Sequence, residues 1–205
     1  MAAYGMRAGR AIGGLVLAGA IPIGAATTVL PAQAQPVAQP AAQAAPLTLP
    51  SGPAPSGDSA SSLAGLFLQS CVHFVGDREA LRAWARKTGL HELPAAGEQQ
   101  FLYGLPGEVF DATDTHGKFV LVSEDGGSCS VLAEKVNGTA MLGDLETDMR
   151  KAQISFTVTL DQDDPQEKTL HQREYDASQG KARWHMLVST VKGTDSGEAM
   201  LTANP

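Results

Sequence analysis

The sequence contains no G-x-S-x-G elbow, no H-E-x-x-H pair, no Walker phosphate loop and no C-x-x-C. Each of those patterns places a nucleophile, a zinc ligand set, a phosphate cradle or a redox dithiol at a fixed spacing. Without them no catalytic residue, metal ligand or cofactor site is assigned, and a hydrolase built from histidines and carboxylates has no positive sign. Basic charge is also short, with 15 Lys and Arg against 22 Asp and Glu. An acidic balance of this kind excludes bulk electrostatic binding to nucleic acid or to an anionic membrane. Cysteine is nearly absent, with two in the chain, Cys71 and Cys129.

The N-terminus carries an address. Arg7 and Arg10 precede an uncharged run from Ala11 to Leu30, and Ala32-Gln33-Ala34 follows as an A-x-A pattern. This predicts a cleaved signal peptide over residues 1–34, with the cut before Gln35. An uncleaved anchor is the rival, because twenty uncharged residues are long enough to span a bilayer. The run is mostly Gly, Ala and Thr with Pro22 inside, which favours cleavage and no stable membrane insertion afterwards. Cleavage leaves 13 basic and 22 acidic side chains, a net charge of −9. The expected location is periplasmic or secreted. In that setting two distant cysteines form a disulfide, and closing the 58-position loop between them stabilises by about 4 kcal/mol in the chain-entropy account.

Residues 35–60 are rich in Pro, Ala, Gly and Ser with no apolar period, and read as a disordered tether. A single domain is expected over 61–205. Leu63, Leu66, Phe67, Cys71 and Phe74 recur at helical spacing, and Gly76 ends that helix. Asp77 is a good N-cap for a second helix with Leu81, Trp84 and Ala85 on its buried face and Gly89 just past its end. From Leu90 to Glu108 the breakers Pro94, Gly97, Gly104, Pro106 and Gly107 predict a long connection with one helical turn near Gln99 to Leu102.

Strands are predicted at about 109–113, 118–124 and 128–136, the last two joined through Asp125-Gly126-Gly127-Ser128. Met141, Leu142, Leu145, Met149 and Ala152 give a third helix. Ile154, Phe156, Val158 and Leu160 then alternate with Ser155, Thr157 and Thr159, a strand with one buried face. Further strands are expected at about 169–176, 182–191 and 198–203, with Ser178-Gln179-Gly180 as the turn between the first two. The order ααβββαββββ gives an α+β fold, an antiparallel sheet of about seven strands with helices packed on one face.

Few residues carry a functional reading. Cys129 is better explained as a disulfide partner than as a nucleophile. Gly126-Gly127 lies between strands rather than before a helix, so no helix N-terminus is available to hold an anion. Asp161-Gln162-Asp163-Asp164 opens like a calcium loop but lacks the central glycine, and Gln172 stands where the bidentate glutamate belongs. Asn137-Gly138-Thr139 matches a glycosylation sequon and is assigned nothing. His73, His91 and His116 read as boundary or turn residues.

One constellation stands out. If Leu170 shares a core face with Trp184, Met186 and Val188, the opposite face presents His171, Arg173, Tyr175, Arg183 and His185 together. Such a face would take a carboxylate, phosphate or sulfate through bidentate arginine contacts. The plainer reading is a solvent face balanced by Glu174 and nearby acids, and a register slip of one residue dismantles the cluster. No third ligand accompanies His171 and His185 for a metal.

A phenylalanine-containing first helix ending in Cys71, the run Leu105-Pro106-Gly107-Glu108-Val109-Phe110, the Asp-Gly-Gly-x-Cys hairpin and the closing Ala199-Met200-Leu201-Thr202 together resemble small exported proteobacterial proteins and lipoproteins. The likeness covers about residues 63–203 and implies an exported fold with no established activity, hence no catalytic residues. The chain departs from the lipoprotein members in having no lipid-accepting cysteine. The expected role is a non-enzymatic module that binds a protein or envelope component, with small-anion binding at the His171/Arg173/Arg183/His185 face as the alternative.

Overall fold

The chain divides after residue 42, and the second unit carries the fold. The structure, a computed structural model, describes residues 59–193 and 197–205. The predicted signal peptide and all but the last two residues of the predicted tether lie outside the described residues.

Helix α1 (Ser59–Phe67) continues through one wide π-helical turn, Leu68–Val72. Its apolar stripe buries Leu63, Phe67 and Cys71 completely. Burial of a side chain the size of Phe67 contributes about 1.5–3 kcal/mol. Helix α2 (Arg78–Lys87) starts where the sequence predicts, because Asp77 accepts a hydrogen bond from the Ala80 N–H at 3.0 Å. It stops at Thr88, and Gly89 takes the left-handed φ of 86° that a side chain would resist. Leu81 and Ala85 are buried as expected, whereas Trp84 is half-buried against Phe74.

The stretch read as a connection holds two elements. A two-residue strand β1 (His91–Glu92) precedes a full helix α3 (Ala95–Leu102). The remaining elements are β2 (Gly107–Asp111), β3 (Phe119–Glu124), β4 (Cys129–Val136), α4 (Gly138–Lys151), β5 (Ser155–Asp163), β6 (Leu170–Gln179), β7 (Ala182–Val191) and β8 (Gly197–Asn204). The fold is α+β, with eight strands where seven were expected and α3 as an additional helix. All eight form one open antiparallel sheet in the order β1-β2-β3-β4-β8-β7-β6-β5. The last strand therefore inserts at the centre, beside β4.

Alternation along the strands defines two faces. The first carries Phe119, Leu121, Val131, Leu201, Met186 and Tyr175, and packs with α1, α2 and α4 in the main core. The Cys71–Cys129 disulfide lies within that core and ties the π-helical turn to the start of β4, with the Cα atoms 5.2 Å apart. The second face carries Val109, Val120, Val122 and Leu132, covered by Phe101 and Leu102 of α3. The helices are thus not all on one face, because Phe101 and Leu102 are apolar enough to seed a smaller core behind the sheet. Gly107 makes that close seat feasible. A Cβ there would stand 2.7 Å from both Leu102 Cδ2 and the Ser123 carbonyl oxygen.

Candidate functional site

The register of the β6–β7 hairpin decides the fate of the predicted constellation. Gln179 pairs with Ala182 across a two-residue turn, Gly180-Lys181, rather than the three-residue turn Ser178-Gln179-Gly180. The shorter loop shifts the pairing by one residue and so exchanges faces. Arg173 stands opposite Val188 and Tyr175 opposite Met186, on the helix-covered face, while Leu170 turns to the other side opposite Val191. His171, Arg173 and Tyr175 therefore stay together on the first face. His185, paired with Asp176, and Arg183, paired with Ser178, lie on the second. The five do not share one face.

A bulge sets the company of the first three. Val158 pairs with Tyr175 but Leu160 pairs with Glu174, so Thr159 is the extra residue in β5. The alternation predicted to run unbroken through Leu160 reverses there. Leu160 moves to the second face, and Asp161 and Asp163 come onto the first, opposite Arg173 and His171. Arg173 contacts Glu146 of α4 at 2.7 Å and Asp161 at 3.1 Å. His171 places its Nε2 2.8 Å from Asp161 and its Nδ1 3.4 Å from Asp163, which Lys192 reaches at 2.5 Å. The Lys192 ammonium, and after it the His171 ring, hold the Asp163 carboxyl below the usual carboxylate range. The buried Tyr175 hydroxyl sits 3.3 Å from Glu146, and burial foremost pushes its ionisation well above the usual tyrosine range.

This layer is neutralised internally and locks α4 to the sheet. Each cation already faces a carboxylate, so it has no bidentate pair of arginines to offer an anion. On the second face His185 is likewise flanked by Glu174 at 3.5 Å and Asp176 at 3.1 Å. Asp164, the last acid of the calcium-like run, instead accepts from the Gln166 and Glu167 N–H groups. Those bonds, the Glu167 one foremost, hold its carboxyl low. Among the described residues no group of three or more His, Cys, Asp or Glu is placed to hold a metal ion. His73, His91 and His116 are exposed, and Asn137 of the sequon caps α4 by accepting from the Ala140 N–H at 2.9 Å.

A second charged layer joins α2 to β2 and β3. Arg82 donates to the Ser123 hydroxyl at 3.0 Å, to its carbonyl at 2.7 Å and to Asp125 at 2.7 Å. Arg86 reaches Glu92 at 3.2 Å and Glu108 at 2.5 Å. The Arg82 guanidinium, hydrogen-bonded to Asp125, draws that carboxyl below its ordinary range. Every partner here is another side chain or backbone group of the same layer, and the arrangement is a tie between elements.

One surface with room for a partner is on the second face. Helix α3 covers only the β2–β3–β4 side, leaving a trough of about 550 Å³ that crosses from β3 to β6. Its floor is built by direct strand neighbours. Leu132 pairs with Met200 and Leu187 with Thr202, while Ser130 and Thr202 share a 2.8 Å hydrogen bond. Leu170 and Gln172 form one wall, Phe101 and Tyr103 the other. Tyr103 is 73% exposed and adopts a left-handed φ of 50° at the end of α3, with Leu105 beyond it 54% exposed. Glu124, Glu134 and Glu198 also line the trough, and among the described residues no Lys, Arg or His does.

Local sequence patterns do not show this surface because its residues are gathered from five strands and the end of α3. The one local signal was the half-apolar alternation of Leu187, Ser189 and Val191 on the wet face of β7. The chain matches no protein-family model, and no curated protein or solved structure is similar to it.

Proposed function

We propose that this chain is an exported, non-enzymatic module that binds a protein or envelope component in the trough on the second face of its sheet. The observation that carries this reading is the partly exposed apolar floor of Leu187 and Met200, continuous with the buried Leu132 and beside the exposed Tyr103 and Leu105. A soluble domain ordinarily covers such a face, and a rimmed apolar patch is the common mark of a binding surface. Tyr103 sharpens the point. A bulky residue held at positive φ costs on the order of 1 kcal/mol, and this one recovers nothing from burial. Export is supported by the leader pattern and by the buried disulfide, a bond that persists in oxidising compartments.

A photo-crosslinking residue at Leu187, on the floor, tests the reading against one at Asp148, on α4 behind the sheet. Crosslinking in the cells that make the protein should give one discrete adduct from position 187 and none from 148, and Met200→Asp should remove it. Equal adducts from both positions, or an adduct indifferent to Met200→Asp, would overturn the reading.

A further inference from the structure

We infer that the trough is built for a cationic amphipathic segment of a partner protein, a short stretch with large apolar side chains next to lysines or arginines. This rests on the proposal that the trough is the binding surface and goes on to name the chemistry of its occupant.

The lining of the trough is asymmetric in charge. The floor offers apolar contact through Leu132, Met200 and Leu187, with only small hydroxyl side chains between them. Among the described residues the carboxylates of the lining are all glutamates, and no basic residue lines it. The three carboxylates are not grouped at one point. Glu134 and Glu198 stand at the end near Leu170, where Ala133 pairs with Ala199. Glu124 stands at the other end, where β3 passes Gly107. An occupant lying along the floor therefore meets negative charge at both ends.

These carboxylates differ from those of the two charged layers in being unspent. The acids of the two charged layers are matched to Arg82, Arg86, Arg173, His171 or Lys192 at 2.5 to 3.5 Å. Among the described residues Glu124 and Glu198 have no basic partner, and Glu134 has only Lys118 at 4.0 Å. An apolar ligand of neutral or negative charge would leave them unanswered or repel them. A lysine or arginine flanking an apolar anchor would answer them, and charge complementarity of this sort selects partners and speeds encounter more than it adds affinity.

The test uses three decapeptides with leucine at alternate positions and lysine, serine or glutamate between, titrated calorimetrically against the full chain at low and at physiological salt. The lysine peptide should bind at least about tenfold tighter than the serine peptide, as a few rim-exposed ion pairs allow. It should weaken with salt, and the glutamate peptide should not bind. Joint substitution Glu124→Gln, Glu134→Gln and Glu198→Gln should erase the lysine preference. Neutralising Glu79, Asp144 and Asp148 on the helix side changes net charge equally and should leave it.

A serine peptide that binds as tightly as the lysine one would overturn the inference while leaving the trough as the binding surface. So would a preference that survives the three glutamine substitutions. Peptide binding indifferent to Met200→Asp would show that the trough is not the surface, and both readings would fall. A chain that binds no peptide but takes up dodecyl maltoside in a Met200-dependent way would assign the trough to an acyl chain instead.

Discussion

Arg173 of β6 donates to Glu146 of α4 across 2.7 Å, with their side chains 25% and 16% exposed. The pair is the polar edge of the seat on which α4 rests, next to Tyr175 and Arg150. Removing the guanidinium leaves the mostly buried Glu146 carboxylate with only the exposed Arg150, at 2.9 Å, as a cationic partner. Arg173→Ala should lower unfolding free energy by about 1–2 kcal/mol in urea denaturation, and Arg173→Lys should restore part of that. Peptide affinity at the trough should be unchanged in both, because Arg173 lies on the other face of the sheet.

The disulfide is the second test of how the helices are held. Cys71 and Cys129 are both buried and lie 58 positions apart in the chain. Cys71→Ala/Cys129→Ala should cost about 2–4 kcal/mol, seen as a lower melting temperature. The effect should equal that of reductant on the wild type. A melting point insensitive to both would mean that the bond contributes nothing to stability.

Acid should act through the charged layers. Asp163, hydrogen-bonded by Lys192 and then His171, and Asp125, hydrogen-bonded by Arg82, both ionise below the ordinary aspartate value of 3.8 in the folded chain. A lowered folded-state value means that the unfolded chain binds more protons as pH falls past 3.8. The stability these groups give is therefore present above that pH and lost progressively as pH drops toward their folded values. Melting curves from pH 5 to pH 2.5 should show the loss. Asp163→Asn and Asp125→Asn should each flatten the slope.

The sheet-to-helix framework was legible because its signals are local. Asp77 and Gly89 bound α2 through their own backbone chemistry, and the Cys71 stripe needs only helical spacing. What could not be read locally depends on one residue of register. A two-residue turn at Gly180-Lys181 and a bulge at Thr159 each invert a face, and neither changes the composition of the strands around it. The constellation of His171, Arg173, Tyr175, Arg183 and His185 was divided by the first of these. Helix α3 was reduced to a single expected turn because Gly97 lies inside it and Gly104 just beyond it. With α3 unseen, the second face had no cover on one side and hence no visible trough on the other.

Gly107 lets Leu102 of α3 close directly onto the sheet. A methyl group at this position would meet Leu102 Cδ2 and the Ser123 carbonyl oxygen, both at 2.7 Å, and Glu124 Cα at 3.1 Å. The leucine can turn aside, but the backbone oxygen belongs to the β2–β3 ladder and cannot. Gly107→Ala should cost about 1–3 kcal/mol and move the α3 wall of the trough. A change in the fluorescence or chemical shifts of Tyr103 would report that movement, while those of Tyr175 on the opposite face should stay in place.

Met200 and Leu201 are neighbours on β8 with opposite surroundings. Leu201 is fully buried beside Val131 and Val188 on the helix-covered face, and Met200 lies partly buried on the trough floor beside Leu132. A carboxylate at position 201 would be buried with no partner, a cost large enough to consume most of a domain's stability. At position 200 it would open onto the trough and stay hydrated, losing the Met200 packing against Leu132 for about 1–2 kcal/mol. Leu201→Asp should therefore fail to give a cooperative melt, whereas Met200→Asp should melt within a few degrees of wild type and lose ligand. If Met200→Asp unfolded the chain as well, the second face would be an interior surface of the fold, and the trough would have no claim to be a binding site.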